Sequence, residues 1–152
     1  MKNQSGQTLL ETLLALSVSV FILGAITAVV ISSLNSVQFT KNQNLAGQYA
    51  REGIEIVRKT RDSGTWTAFS GISGLYCLSS GGTSLPSSSA SCQTPNIGGI
   101  FVREINVISS SGDCPAPAPP LGSKVVSKVS WTDGKCPAAG NIYCHKSEIT
   151  SC

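Results

Sequence analysis

The 152-residue sequence predicts an α+β fold in which one long amino-terminal helix packs on a small antiparallel β-sheet held by disulfides. Three observations predict it. No charged residue occurs between Thr12 and Thr40, and the carboxylate of Glu11 stands at the head of that apolar run. A stripe of Ala46, Ala50, Gly53, Ile54 and Val57 follows at helical spacing. All six cysteines then fall within residues 62 to 152, together with two segments that alternate in polarity.

Residues 9 to 34 are mostly Leu, Ile, Val, Ala and Phe, broken by Ser17, Ser19, Gly24 and Thr27. A helix needs about 20 apolar residues to cross the hydrocarbon core of a bilayer. A secretory signal has a shorter apolar region, roughly 7 to 15 residues, and a small-residue cleavage site. This segment is longer and has no Ala-x-Ala ending, so residues 7 to 34 read as a membrane span. Lys2 and the amino terminus favour a cytoplasmic amino end. Apolar residues surround most of the helix, which suits lipid or neighbouring helices on all sides. Gly24 and the serines let such neighbours approach closely. An acid in hydrocarbon is costly unless it meets a partner, which makes Glu11 the most informative residue of the chain.

Between Asn35 and Asn44 the sequence turns polar without Pro or Gly. The stripe from Ala46 to Val57 comes next, flanked by Tyr49 and Ile56. Arg51, Glu55 and Lys59 are spaced to support one another at i, i+4 steps. Asp62-Ser63-Gly64 is a stop signal. One nearly continuous helix is expected from about residue 7 or 8 to Arg61, roughly 80 Å long. Its second half needs a folded body, residues 46 to 152, to cover the stripe. Gly53 costs about 1 kcal/mol of helix propensity relative to Ala, and close approach of a strand is its best use.

In that body, Ile100–Ile108 carries Phe101, Ile105 and Val107 in phase, with Arg103 as the exception. Lys124–Thr132 carries Val125, Val129 and Trp131 in phase. Both read as half-buried antiparallel strands facing the helix stripe. Asn141–His145 is a candidate third strand. Residues 79 to 99 are rich in Ser, Gly, Thr and Pro, and Ser109–Gly122 contains Pro115, Pro117, Pro119 and Pro120. Such loops cannot build a core and need pinning. Cys77, Cys92, Cys114, Cys136, Cys144 and Cys152 are the candidate pins, expected to form three intrachain disulfides in an oxidising compartment. Six cysteines allow 15 pairings, and sequence does not choose among them.

Composition also sets aside other chemistry. There is no Cys-x-x-Cys pair, and no metal site or cofactor is expected. The single histidine, His145, forms no recognisable catalytic pattern with Asp113 or Asp133, so an enzyme is not expected. Eleven Lys and Arg stand against eight Asp and Glu, and the side-chain balance falls to +2 without Lys2. That is weak electrostatics for a DNA binder. Lys124, Lys128, Lys135 and Lys146 are the residues through which weak DNA contact would act.

Gly6, followed by Gln7-Thr8-Leu9-Leu10-Glu11 and the hydrophobic helix, resembles the processing site of the type IV prepilin family. Ala50–Glu55, Phe101–Ile105 and Val125–Trp131 are similar to matching parts of prepilin-type proteins, minor pilins included. The resemblance implies a lollipop fold, with a disulfide-bounded region near the carboxyl end to which Cys136, Cys144 and Cys152 would contribute. It implies that residues 1 to 6 are a leader, cut between Gly6 and Gln7 by a prepilin peptidase that also methylates the new amino terminus. It further implies a membrane-held precursor that passes, through an assembly platform in the inner or cytoplasmic membrane, into an extracellular pilus of identical or related subunits. Two departures stand out: Gln7 occupies a position usually held by Phe or Met, and no proline lies near Ala28.

The chemistry of Glu11 agrees with this. Cleavage would create an amine at Gln7, and Glu11 of one subunit would pair with the amine of the next. Pairing lowers the cost of charge in lipid and fixes the register between helices. Repetition of such a heterologous contact gives an open helical polymer. The expected function is a structural subunit of a type IV pilus, serving adhesion, twitching motility or DNA uptake. The alternatives are a pseudopilin of a secretion machine and a membrane-anchored binding module that never polymerises.

Overall fold

The structure is a computed structural model that describes residues 5–92, 94–109, 111–114, 122–133, 136 and 143–152. Residues 1–4 of the expected leader, the four prolines of the Ser109–Gly122 loop, Lys135, and Asn141 and Ile142 of the candidate third strand lie outside these. The chain divides into two compact units, Met1–Lys41 and Asn42–Cys152.

Helix α1 runs Ser5–Ser63 without interruption. No proline falls within it, and it ends at the expected Asp62-Ser63-Gly64 signal, where the Gly64 amide donates to the Arg61 carbonyl at 3.4 Å. Glu55 pairs with Arg58, three residues on, and not with Arg51 or Lys59 as the i, i+4 spacing suggests. In the first unit the large apolar side chains from Leu9 to Leu34 are exposed. By length and composition the helix is long and apolar enough to cross a membrane.

In the second unit a short helix, α2 (Trp66–Ser70), precedes four strands: β1 (Gly74–Cys77), β2 (Val102–Ile108), β3 (Lys124–Trp131) and β4 (His145–Ser151). They form one antiparallel sheet in the order β1-β2-β3-β4. β2 and β3 fall within the two segments read from alternation. β4 begins where the candidate third strand was expected to end. Its sequence, His-Lys-Ser-Glu-Ile-Thr-Ser, has one apolar residue, and as an edge strand it is covered on one side only. Polarity therefore gives it no strand signature. β1 and α2 have no sequence signature either. Each has five residues or fewer and exists through tertiary pairing, plus the Thr65 cap whose hydroxyl accepts from the Ala68 amide.

The inner face of the sheet follows from the register. Tyr76, Ile105, Ser127 and Ile149 form one row across four strands. Val107, Val125 and Ser151 lie on one side of it, and Arg103, Val129 and Ser147 on the other. Buried residues of α1 share two core clusters with this face. Ile54, Ile56 and Val57 pack with Tyr76, Ile105, Val107 and Val125. Ala46 and Ala50 pack with Ile97, Phe101, Val129 and Trp131. Trp131, only 1% exposed, is the core residue that its phase predicts.

Gly53 lies over the central row. A Cβ there would come within 2.5 Å of Ser127 Oγ and 2.6 Å of Ile105 Cδ1. Close approach of strands to helix is the use the sequence anticipates for it, and the contact costs α1 only a weak helix former. Beyond β1, Gly98 and Gly99 both take positive φ, 57° and 70°, to bring Ile97 back against Phe101. Such a pair of left-handed residues favours glycine.

Three disulfides pin the loops: Cys77–Cys92, Cys114–Cys152 and Cys136–Cys144. The first ties the Ser-rich segment to the end of β1. The second ties Cys152, just past β4, to the segment after β2. The third closes a short loop between β3 and β4.

Candidate functional site

The residues singled out at the head of the chain lie on one element. Gly6, Gln7 and Glu11 all have helical backbone within α1. Glu11 is exposed and its carboxylate forms no ion pair or hydrogen bond among the described residues. Around it Leu9, Leu10, Leu13 and Leu14 are each exposed by 58% or more. A carboxylate is thus presented beside four exposed leucines.

The hydroxyls of this segment are handled differently. Thr12 donates to the Leu9 carbonyl at 2.9 Å, Ser17 to Leu14 at 2.8 Å and Ser19 to Ala15 at 2.8 Å. Thr27 donates to both Leu23 and Gly24. Each turns back on its own helix, which satisfies the donor without water and suits a lipid setting. Glu11 has no such local solution, because a carboxylate needs donors and a helix interior offers only carbonyls. A Cβ at Gly24 would meet nothing within 4 Å, so no contact within the chain requires glycine there.

In the second unit Arg103, the exception in its strand's pattern, points to the inner face and is fully buried. Its guanidinium donates to the carbonyls of Tyr49 (3.1 Å), Leu78 (3.4 Å) and Ser79 (2.8 Å) and pairs with Glu52 at 3.0 Å. Asn96 caps the backbone of the same residue, accepting from its amide and donating to its carbonyl. The planar donor fork serves helix and loop at once. Its role in the fold was not legible from alternation, which flags polarity but not partners.

Among the described residues the candidate lysines do not form one free patch, and Lys135 lies outside them. Lys124 pairs with Asp113 at 2.7 Å and Lys128 with Glu104, while Lys146 is exposed on β4. Lys124, by hydrogen bonding and by charge, holds the exposed Asp113 carboxyl below its ordinary range.

Asp133 and His145, separate in sequence, are brought together. The carboxylate lies 3.2 Å from His145 Nε2, and the Cys136–Cys144 disulfide stands beside them. Cys144 precedes β4, which starts at His145, so the alternation of faces along a strand does not separate these two side chains. The β3–β4 register, with Trp131 opposite His145, creates this cluster.

The fold and the helix head define a general class: a chain with one membrane-length apolar helix whose later part packs on a small, disulfide-stabilised antiparallel sheet, as in pilin-like proteins. Comparison with protein-family models, curated proteins and solved structures finds no match.

Proposed function

We propose that the chain is a structural subunit of a type IV pilus. The observation that carries this reading is Glu11: an exposed carboxylate without a partner among the described residues, on an apolar helix, five positions after Gly6. Removal of residues 1 to 6 would leave an amine at Gln7, one helical turn from Glu11. That amine, in a second subunit, supplies the missing counter-charge. The pair stabilises assembly because the alternative is a carboxylate alone in hydrocarbon. Each subunit offers one amine and one acid, so the contact repeats head to tail and propagates a filament.

In this account the peptidase that cuts after Gly6 and methylates Gln7, the assembly platform and related pilins are the partners. The chain has no catalytic step of its own. Unassembled subunits reside in the cell membrane, and assembled ones present the disulfide-pinned sheet unit outside the cell. Adhesion, twitching motility or DNA uptake would be performed by the filament as a whole.

Intact mass and amino-terminal sequencing of the chain from sheared surface filaments and from membranes test this. The expected filament species begins at Gln7. Filaments built from chains that retain Met1–Gly6 contradict the reading. Absence from filaments, despite cleavage, points to a pseudopilin, and an uncleaved membrane form points to a tethered binding module.

A further inference from the structure

We propose that Asp133, Cys136, Cys144 and His145 form a redox-gated site for a zinc-class divalent cation, closed while the Cys136–Cys144 disulfide is intact and open once a dithiol reductant cleaves it. The four donor atoms lie within 4.8 Å of one another. Two thiolates, an imidazole and a carboxylate are a donor set that zinc accepts in tetrahedral geometry.

The spacing of the oxygen and nitrogen donors fits as it stands. Two ligands each about 2.0 Å from a tetrahedral zinc are about 3.3 Å apart. His145 Nε2 and Asp133 Oδ2 are 3.2 Å apart. Thiolates about 2.3 Å from the same ion are about 3.8 Å apart, a separation that side-chain rotation provides once the bond is cut.

The surroundings already support a metal-bound thiolate. Cys136 Sγ accepts from the Cys144 amide at 3.2 Å and from Thr132 Oγ1 at 3.3 Å. Such outer hydrogen bonds orient a ligand and stabilise its charge. The Trp131 ring lies 5.5 Å from that of His145, tilted by 32°, and fixes the imidazole plane. The Asp133 side chain is 25% exposed and gives a cation its way in, while His145 Nε2 is buried behind it. Cleavage opens a sequence separation of only 8, while Cys77–Cys92 and Cys114–Cys152 continue to hold the sheet unit.

The chemistry balances. The dithiol gives two electrons to the S–S bond and closes to its own disulfide, and its two protons pass to Cys136 and Cys144. The cation then displaces both thiol protons as the thiolates bind. The site lies within the sheet unit and does not depend on filament assembly.

The test uses the full chain in detergent micelles, treated with limiting dithiothreitol and probed with Co(II). Non-reducing peptide mapping checks which bond opens. The expected result is selective opening of Cys136–Cys144 and uptake of one equivalent of cobalt. Tetrahedral d–d bands and a thiolate charge-transfer band should appear, be lost on adding Zn(II), and be absent from the oxidised chain. Asp133→Ala and His145→Ala should each weaken cobalt binding by roughly tenfold or more. Four results overturn the proposal: no thiolate–cobalt band after reduction, binding indifferent to Asp133→Ala, prior opening of another disulfide, or loss of near-UV circular dichroism that Zn(II) does not restore.

Discussion

Arg103 Nη1 lies 3.0 Å from Glu52 Oε2, joining a fully buried cation on β2 to a half-exposed carboxylate on α1. The same guanidinium binds the carbonyls of Tyr49, Leu78 and Ser79. Helix, strand and loop are thereby held in one register by a single side chain. Removing the counter-charge from a buried ion costs about 3–5 kcal/mol, more than removing both charge and partner together. Solvent reaches Glu52, so the lower end of that range applies.

Glu52→Ala is therefore expected to destabilise the chain by about 3 kcal/mol. Arg103→Met leaves the carbonyls of Tyr49, Leu78 and Ser79 without their donor as well as Glu52 without its cation, and its cost should be larger. Denaturant unfolding of both variants and of the double variant checks the order. The double variant should cost less than the sum of the singles, because the two residues share one interaction.

Gly53→Ala opposes two effects. Helix propensity gains about 1 kcal/mol. Against it, the new methyl would stand 2.5 Å from Ser127 Oγ and 2.6 Å from Ile105 Cδ1, and overpacking costs about 1–3 kcal/mol. The expected result is net destabilisation. Gly47→Ala is the control: its Cβ would meet only Ser147 Oγ, at 4.0 Å, and the substitution should stabilise. Thermal unfolding of the two variants should show Tm moving in opposite directions.

Much of this was legible in the sequence. The apolar run, the Ala46–Val57 stripe and the phase of β2 and β3 are periodic, and periodicity is a local property that survives without a structure. Gly53 was legible because a glycine in a helix interior asks for a close neighbour. β4 and β1 were not, since a polar edge strand and a four-residue strand take their conformation from their partners. Disulfide pairing was hidden because it depends on which loops the sheet brings together. The Asp133–His145 contact was hidden for the same reason, and Arg103 looked like an interruption because its acceptors are carbonyls, which every residue has.

The disulfides should differ in weight. In the chain-entropy treatment, closure over 38 residues gives Cys114–Cys152 about 4 kcal/mol, and closure over 8 gives Cys136–Cys144 about 2.5 kcal/mol. Paired Cys→Ser variants, unfolded in urea, should show the larger loss for Cys114 with Cys152. Equal losses would indicate that native contacts, not loop closure, govern their contributions.

Asp113 gives a pH signature with a defined sign. Lys124 lowers its carboxyl pKa in the folded chain below the ordinary value of 3.8. The ion pair therefore stabilises fully above that value and is lost as pH falls through the lowered folded pKa. The effect is small, since the carboxylate is exposed. Wild type minus Asp113→Asn stability should be flat from neutral pH down to the carboxylate range and vanish below it. A difference that grows on acidification contradicts the pairing.

Glu11 offers the most direct measurement of the account. Glu11→Ala should insert into the membrane and be cleaved after Gly6 as wild type is, because alanine is cheaper than a carboxylate in hydrocarbon. The quantity to measure is the fraction of cleaved chain that enters sheared filaments at equal expression, in a strain lacking the wild-type copy. The account predicts accumulation of cleaved subunit in the membrane and a severe loss from filaments. Assembly of Glu11→Ala at the wild-type level would contradict it.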